Sequence, residues 1–440
     1  MWGDMKPHLI VRVRPGVSAP QLPHWSEVLE RKDARIERFL PAADAILRDR
    51  AVPFWATREY RPAAADGPDS TGGSPWTEQE MASGLDRTFR LILQREQRIP
   101  QGLIDAIRLV PEIESVRPGF VAATPLPRVQ AFSRRPDEAS REAIYLPESH
   151  RLTRGDRAVT VAVLDTGMSS NHREVPNPEP GFDTVHIIDG HDAFVGDILD
   201  ADTLPEDDVG HGTHVAGIAV GVGRRMPVGV APLCRLLPVR VLAAMERDGQ
   251  RYGAGLVDNI NQGVKWAVDQ GADVINMSLG VRHEGGGLPH QDVIDYARRA
   301  GVTVVAAAGN DGREELYYPG ALPSVITVGA MAGEGDVAPF STYGHQVDLI
   351  APGEEIYSAY RDGGYAFATG TSHAAPFVTG AVALLKSFGR AFGRRLTDGQ
   401  VKHLLKHTAD RIDRRFKHPK AGFGRLNIAD ALRLAEAKLA

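Results

Sequence analysis

The chain has a single cysteine, Cys234, so no internal disulfide can form and no oxidising compartment is implied. Its setting, APLCRLLPV, reads as a small buried core residue more than a nucleophile. Long apolar runs are also lacking. No stretch reaches the ~18 residues that mark a membrane span, and the opening MWGDMKPHLIVRVRPG has no apolar core of a secretory signal. A cytoplasmic location is therefore expected, with no membrane partner. Nor is there an excess of one charge: the net of -5 over 440 residues excludes a dominant nucleic-acid-binding character. Basic runs such as RIDRRFKHPK at 411–420 read as solvated surface. What is present is a 42% hydrophobic chain longer than one ordinary domain, enough for one large unit and one small one.

Four short motifs carry the chemistry: VAVLDTG around Asp165, GHGTHVAG around His211, AAAGN ending at Asn310, and GTSHAAP around Ser372. A serine hydroxyl is a poor nucleophile until a histidine takes its proton and later returns it to the leaving amine. A carboxylate on the other ring nitrogen fixes the tautomer, and donors must meet the oxyanion of the tetrahedral intermediate. Ser372, His211, Asp165 and Asn310 are assigned to these roles, with the Ser372 backbone N–H as second oxyanion donor. The local settings agree. VTVAVLD and VTVVAAAGN read as buried parallel strands delivering Asp165 and Asn310 at their C-terminal ends, where open α/β sheets place ligand sites. Glycines followed by small apolar residues place His211 and Ser372 near helix starts, and at Ser372 the dipole favours developing negative charge.

From about Thr160 to the C-terminus these motifs resemble the subtilisin-like serine proteases, the subtilase family. GVAP at 229–232, NMSLG at 276–280, the Pro319–Gly320 pair, LIAPG at 349–353 and GFGRLNIADAL near the end extend the likeness. The resemblance implies an α/β, three-layer fold with a mostly parallel central sheet. It also implies a serine endopeptidase that works through an acyl-enzyme intermediate and needs no cofactor. In this family an extended peptide adds as a strand between two enzyme segments, here Gly253, Ala254 and Gly255 on one side and Ser278, Leu279 and Gly280 on the other. The primary specificity pocket is expected between 306–310 and the loop 311–318. Asp311, Glu314 and Glu315 there favour a basic substrate side chain, whereas Tyr317, at a position often glycine in the family, narrows the pocket; both remain open. A catalytically silent peptide-binding pseudoprotease is the alternative.

Two departures concern histidine. His373 follows Ser372 where the family usually has Met, and is expected as a buried, hydrogen-bonded packing residue; His214 is expected to be structural. Metal sites are not called for. The loop 221–232, in the place of a calcium loop in some relatives, has no Asn or Asp and carries Arg224 and Arg225. The segment 166–210 holds eleven acidic residues against one Arg; a calcium ion on Asp189, Asp192, Asp197, Asp200 or Asp202 and a solvated acidic loop are both open. His403 and His407 lack the glutamate of a zinc-protease motif. Thr397 with Gln400 reads as a capping box that starts a helix.

Residues 1–123 read as a separate α+β unit, with strands at 8–16 and 87–94, a helix at 101–110 and a return strand at 114–123. The Pro/Gly/Ser-rich stretch 61–84 reads as a loop or disordered insertion, and 124–159 as a linker and processing region before the catalytic unit at 160–440. This unit resembles the ferredoxin-like subtilase propeptide, which inhibits by laying its C-terminal tail in the cleft; an unrelated accessory domain is the other reading. The expected partners are a peptide or protein substrate and the chain's own N-terminal domain, which holds the enzyme latent.

Overall fold

The β-branched run Thr160–Asp165 forms a fully buried strand, and its alternation decides how the large unit is layered. Val161 and Val163 join one hydrophobic core, while Ala162 and Leu164 join another on the opposite face. The strand lies inside a seven-stranded sheet in the order Leu349–Pro352, Ile326–Met331, Thr303–Ala307, Val274–Met277, Thr160–Asp165, Arg235–Arg240, Phe182–Asp183. Every pairing in it is parallel. Helices His211–Val220, Thr371–Ala391, Asp398–Thr408 and Ile428–Leu439 cover one face, and Val257–Asp269 with Gln291–Arg299 cover the other. The result is a three-layer α/β fold. The computed structural model describes residues 7–439 except 19, 64–73, 95–97, 127–137, 186–204, 248–249, 283–286 and 334. No described helix is long and apolar enough to cross a membrane.

The N-terminal region builds its own antiparallel sheet in the order Phe54–Arg58, Thr88–Leu93, His8–Val13, Ile113–Pro118. Helices Pro41–Asp49 and Leu103–Arg108 follow the first and third of these strands in sequence, which is the split βαβ arrangement of ferredoxin-like folds. Ala43, Leu47, Leu103 and Ile107 pack on Leu9, Val11, Phe89 and Leu91 to close a separate core.

Three boundaries differ from the sequence reading. The stretch 61–84 is not all loop: Thr77 and Glu80 form a reciprocal capping box that starts helix Glu78–Ser83. The return strand read at 114–123 is two strands, Ile113–Pro118 in the N-terminal sheet and Val121–Pro125 paired with Gln250–Leu256. The later part of the expected linker folds as short helices, Ala139–Glu142 and Leu146–Ser149, and buries Ile144 and Leu146 in the large core. Each helix is about one turn long, too short to carry a periodic signal.

Candidate active site

In an open parallel sheet the ligand crevice lies beyond the C-terminal strand ends where the strand order reverses. The order reverses at Thr160–Asp165, which has the later strands Arg235–Arg240 on one side and Val274–Met277 on the other. The two inner strand ends carry Asp165 and lead into Ser278.

Asp165 and His211 are both buried and meet there, with Asp165 Oδ1 2.6 Å from His211 Nδ1. Nδ1–H donates to the carboxylate, which leaves the Nε2 lone pair free to accept a proton. Burial alone would depress the His211 pKa, but the charge and hydrogen bond of Asp165, with Asp207 behind it, outweigh burial and raise it. His211 is the first residue of its helix, and Gly212 packs so tightly that a Cβ there would lie 2.2 Å from the Gly167 carbonyl and 3.2 Å from Asp165 Cβ.

Ser372 is the second residue of helix Thr371–Ala391, within the first turn, where N–H groups have no intrahelical acceptor. Four residues on stands Pro376, which has no N–H to bond the Ser372 carbonyl. Ser278 Oγ donates to that carbonyl instead at 2.7 Å, Asn276 Nδ2 donates to Ser278 Oγ at 2.9 Å, and Thr379 Oγ1 donates to Asn276 Oδ1 at 2.8 Å. A buried chain of hydrogen bonds thus ties the start of the helix to the end of strand Val274–Met277. Asn310 Oδ1 accepts from the backbone N–H and hydroxyl of Thr371 at 2.8 and 3.0 Å, leaving its NH2 for a ligand oxygen. Asn310, Ser372, Ser278, Leu279 and Gly280 all line one pocket.

Ser372 and His211 share no hydrogen bond. Ser372 Oγ donates to the Ser278 carbonyl at 3.2 Å, while His211 Nε2 and Asp165 Oδ2 are buried without hydrogen-bond partners. Such contacts commonly close only when substrate is bound.

His214 donates from Nε2 to the carbonyls of Ile356 and Ala366, and burial lowers its pKa to about 3. His373 is buried, but neither ring nitrogen has a hydrogen-bond partner, so the hydrogen-bonded role expected for it is corrected to packing alone. Its ring stands 4.5 Å from that of His214 and 5.4 Å from that of His211. Burial first, then the two neighbouring imidazoles, hold its pKa well below the ordinary value.

Sequence reasoning missed Asp207, which it counted as part of an acidic segment. Asp207 Oδ1 accepts from Thr166 Oγ1, Val209 N and Gly210 N, and Oδ2 accepts from Thr213 N and Oγ1, all within 3.0 Å. It therefore ties the turn after Asp165 to the helix that presents His211. The available signal was an Asp shortly before the glycines of a helix start.

The expected specificity loop is closed by its own side chains. Tyr317 Oη donates to Asp311 Oδ2 at 2.7 Å, Arg282 Nε donates to Tyr317 Oη at 3.2 Å, and Arg282 lies 3.6 Å from both Asp311 and Glu315. Partial burial and the Asp311 bond push the Tyr317 pKa up to about 12, so the phenol stays a donor.

The residues of the calcium-type loop do not fit a hard cation. Both carboxylate oxygens of buried Glu174 are engaged there, accepting from Arg224 N at 2.7 Å, Arg225 N at 2.6 Å and Tyr365 Oη at 3.0 Å. No group of three or more His, Cys, Asp or Glu residues able to hold a metal occurs among the described residues. Asp189, Asp192, Asp197, Asp200 and Asp202 lie outside the described residues. Cys234 is partly rather than fully buried, its Sγ 3.6 Å from Ser387 Oγ.

Comparison with known proteins gives a consistent result. The profile of the subtilase family matches residues 156–425. The chain is 36% identical over 273 residues to thermitase from Thermoactinomyces vulgaris, covering 62% of this chain and 88% of that one. It is 35% identical over 290 residues to the thermophilic serine proteinase of Bacillus sp. strain AK1, covering 66% of this chain and 65% of the relative's own length. The solved structure of the prenylagaramide maturation protease PagA superposes with a TM-score of 0.55 at 30% identity, covering 66% of this chain and 98% of that chain. The chain belongs to the subtilase family and is a subtilisin-like serine endopeptidase.

Proposed function

We propose that Asp165, His211 and Ser372 cleave peptide bonds as a triad and that the N-terminal domain holds this site latent. Ser372 Oγ attacks the scissile carbonyl as its proton passes to His211 Nε2. Asn310 Nδ2 and the Ser372 N–H stabilise the oxyanion. His211 returns the proton to the amine as the C–N bond breaks, leaving an acyl-enzyme; water, deprotonated by His211, then releases the acid and restores Ser372. The observation that carries this reading is the 2.6 Å contact between buried Asp165 and His211 in the crevice that also holds Ser372.

The latency reading rests on the strand Val121–Pro125. It pairs antiparallel with Gln250–Leu256, placing Ala122, Ala123 and Thr124 opposite Gly255, Ala254 and Gly253. This is the edge to which a substrate strand would add, so the chain's own segment stands where an extended peptide would. No cofactor takes part in the proposed steps.

Fluorophosphonate labelling followed by intact-mass measurement tests the triad. One adduct is expected on the wild-type protein once limited proteolysis has removed the N-terminal domain, and none on Ser372→Ala treated alike; equal labelling of both would overturn the assignment. A folded wild-type chain that never labels, even after limited proteolysis has removed the N-terminal domain, would favour the silent peptide-binding module.

A further inference from the structure

We propose that Tyr317 is a specificity-determining residue that restricts the acylating site to substrates with a small, uncharged side chain on the residue whose carbonyl is attacked. The inference rests on the triad reading, which makes the pocket beside Ser372 and Asn310 the one entered by that side chain. Its walls are Ser278–Gly280 on one side and Ala307, Gly309 and Asn310 on the other, with Asp311 and Tyr317 beside Thr371 and Ser372.

The pocket's size argues first. It holds about 80 Å³, roughly half the volume of an apolar cavity of about 150 Å³ that is known to take a benzene ring. A methyl or hydroxymethyl group fits; a phenyl ring does not unless Tyr317 moves. The glycines then show why Tyr317 has no room on either side. A Cβ at Gly309 would lie 2.7 Å from its ring Cδ2, and one at Gly280 would lie 3.0 Å from its Cβ. Tyr317 is thus wedged between the two walls.

Movement is opposed at both ends of the side chain. The backbone is fixed by the antiparallel pairing of Tyr317 with Arg282 and of Tyr318 with Val281. The hydroxyl is held between Asp311 Oδ2 and Arg282 Nε, and the Arg282 guanidinium lies 5.5 Å from the ring centroid. The same contacts weaken the case for a basic substrate side chain at two of the three carboxylates, Asp311 and Glu315. Asp311 and Glu315 already share Arg282, and Glu315 also has Arg313 at 3.2 Å. A lysine arriving in the pocket would find paired carboxylates.

Single-residue substrates test this on the full chain because they engage this pocket without an extended strand. The thiobenzyl esters of acetyl-alanine, acetyl-phenylalanine and acetyl-lysine are hydrolysed by protein whose labelling by a fluorophosphonate has first been measured. The expected kcat/KM for alanine exceeds that for phenylalanine on the order of 10- to 100-fold, and lysine is no better than alanine. Tyr317→Gly should raise the phenylalanine value by a similar factor while changing the alanine value far less, and Tyr317→Phe, which keeps the ring, should retain the small-residue preference. A labelled wild-type chain that uses the phenylalanine or lysine ester as well as the alanine ester overturns the inference alone, whatever the variants do. A folded Tyr317→Gly protein with an unmoved ratio overturns it too. A chain that neither labels nor hydrolyses the alanine ester, before or after limited proteolysis has removed the N-terminal domain, overturns the triad reading, and the inference falls with it.

Discussion

The pH behaviour of the proposed base follows from two opposing effects on one imidazole. Burial favours neutral His211, but the Asp165 carboxylate at 2.6 Å and Asp207 beyond it win and raise the pKa. The base must be neutral to accept the Ser372 proton, so the acid limb of kcat/KM against pH is expected above the value for a free imidazole. Stability runs the other way: a raised folded-state pKa contributes fully below the unfolded value, and that contribution is lost as pH rises through the folded one. Asp165→Asn should move the acid limb down and reduce kcat by about 10⁴-fold, since both the tautomer and the imidazolium lose support; a profile with an unmoved limb would remove Asp165 from this role. Asn310→Leu should cost about 100- to 1,000-fold in kcat with a modest change in KM, read from initial rates. At this scale the sequence was most informative, because each of the four motif residues sits in its own short run. Asp207 and Ser278 were opaque as supports because their partners lie across folded space, as when Ser278 reaches the Ser372 carbonyl 94 residues away.

Elements turn these residues into a site by anchoring helix starts to strand ends. Asp207 joins the turn after strand Thr160–Asp165 to helix His211–Val220 through five hydrogen bonds, named above, that leave no carboxylate oxygen idle. Asp207→Ala would leave several buried donors unpaired. It should destabilise the protein by about 2 kcal/mol or more, measured by urea unfolding, with kcat falling more than KM rises because His211 loses its fixed position. Unchanged stability would mean that water or neighbouring groups replace the carboxylate. The strands of this unit were readable because β-branched apolar runs buried on both faces leave few alternatives. Helix Asp398–Thr408 was readable for another reason: Thr397 accepts from the Gln400 N–H, and the Gln400 side chain accepts from the Thr397 N–H. The helices at Ala139–Glu142 and Leu146–Ser149 had neither signal. They form because Ile144 and Leu146 reach the large core and Arg141, itself buried, donates to the Val228 carbonyl.

At the scale of the whole molecule, the N-terminal domain meets the catalytic unit through charge as well as apolar surface. Asp258, buried at the start of helix Val257–Asp269, receives His8 Nε2 at 2.8 Å and Arg117 Nη2 at 2.6 Å. Further along that helix Lys265 pairs with Glu80 at 2.7 Å, while Tyr60, Trp76 and Leu85 pack into the catalytic core. No sequence pattern announced these pairs, because His8 and Asp258 are 250 residues apart and neither belongs to a motif. Burial alone would raise the Asp258 pKa, but Arg117 first and then His8 hold it well below the usual carboxylate range. A depressed folded-state value means that this contribution to docking is present above the unfolded pKa and disappears only as pH falls through the folded one, so docking should survive mild acid. Removing the charge is a different matter, since it leaves Arg117 without its buried partner, a loss of about 3–5 kcal/mol for such pairs. Asp258→Asn should therefore loosen the N-terminal domain and with it the strand Val121–Pro125. Hydrolysis of a tetrapeptide amide, which needs the Gly253–Gly255 edge, should rise relative to wild type, and cleavage of the N-terminal region by added trypsin should quicken. Asp105→Asn, at an exposed pair with Arg108, should do neither. If Asp258→Asn quickens trypsin cleavage without raising tetrapeptide hydrolysis, the domain docks through this pair but does not inhibit; if both rates match wild type, docking is carried by Tyr60, Trp76 and Leu85 and the buried charges set only its register.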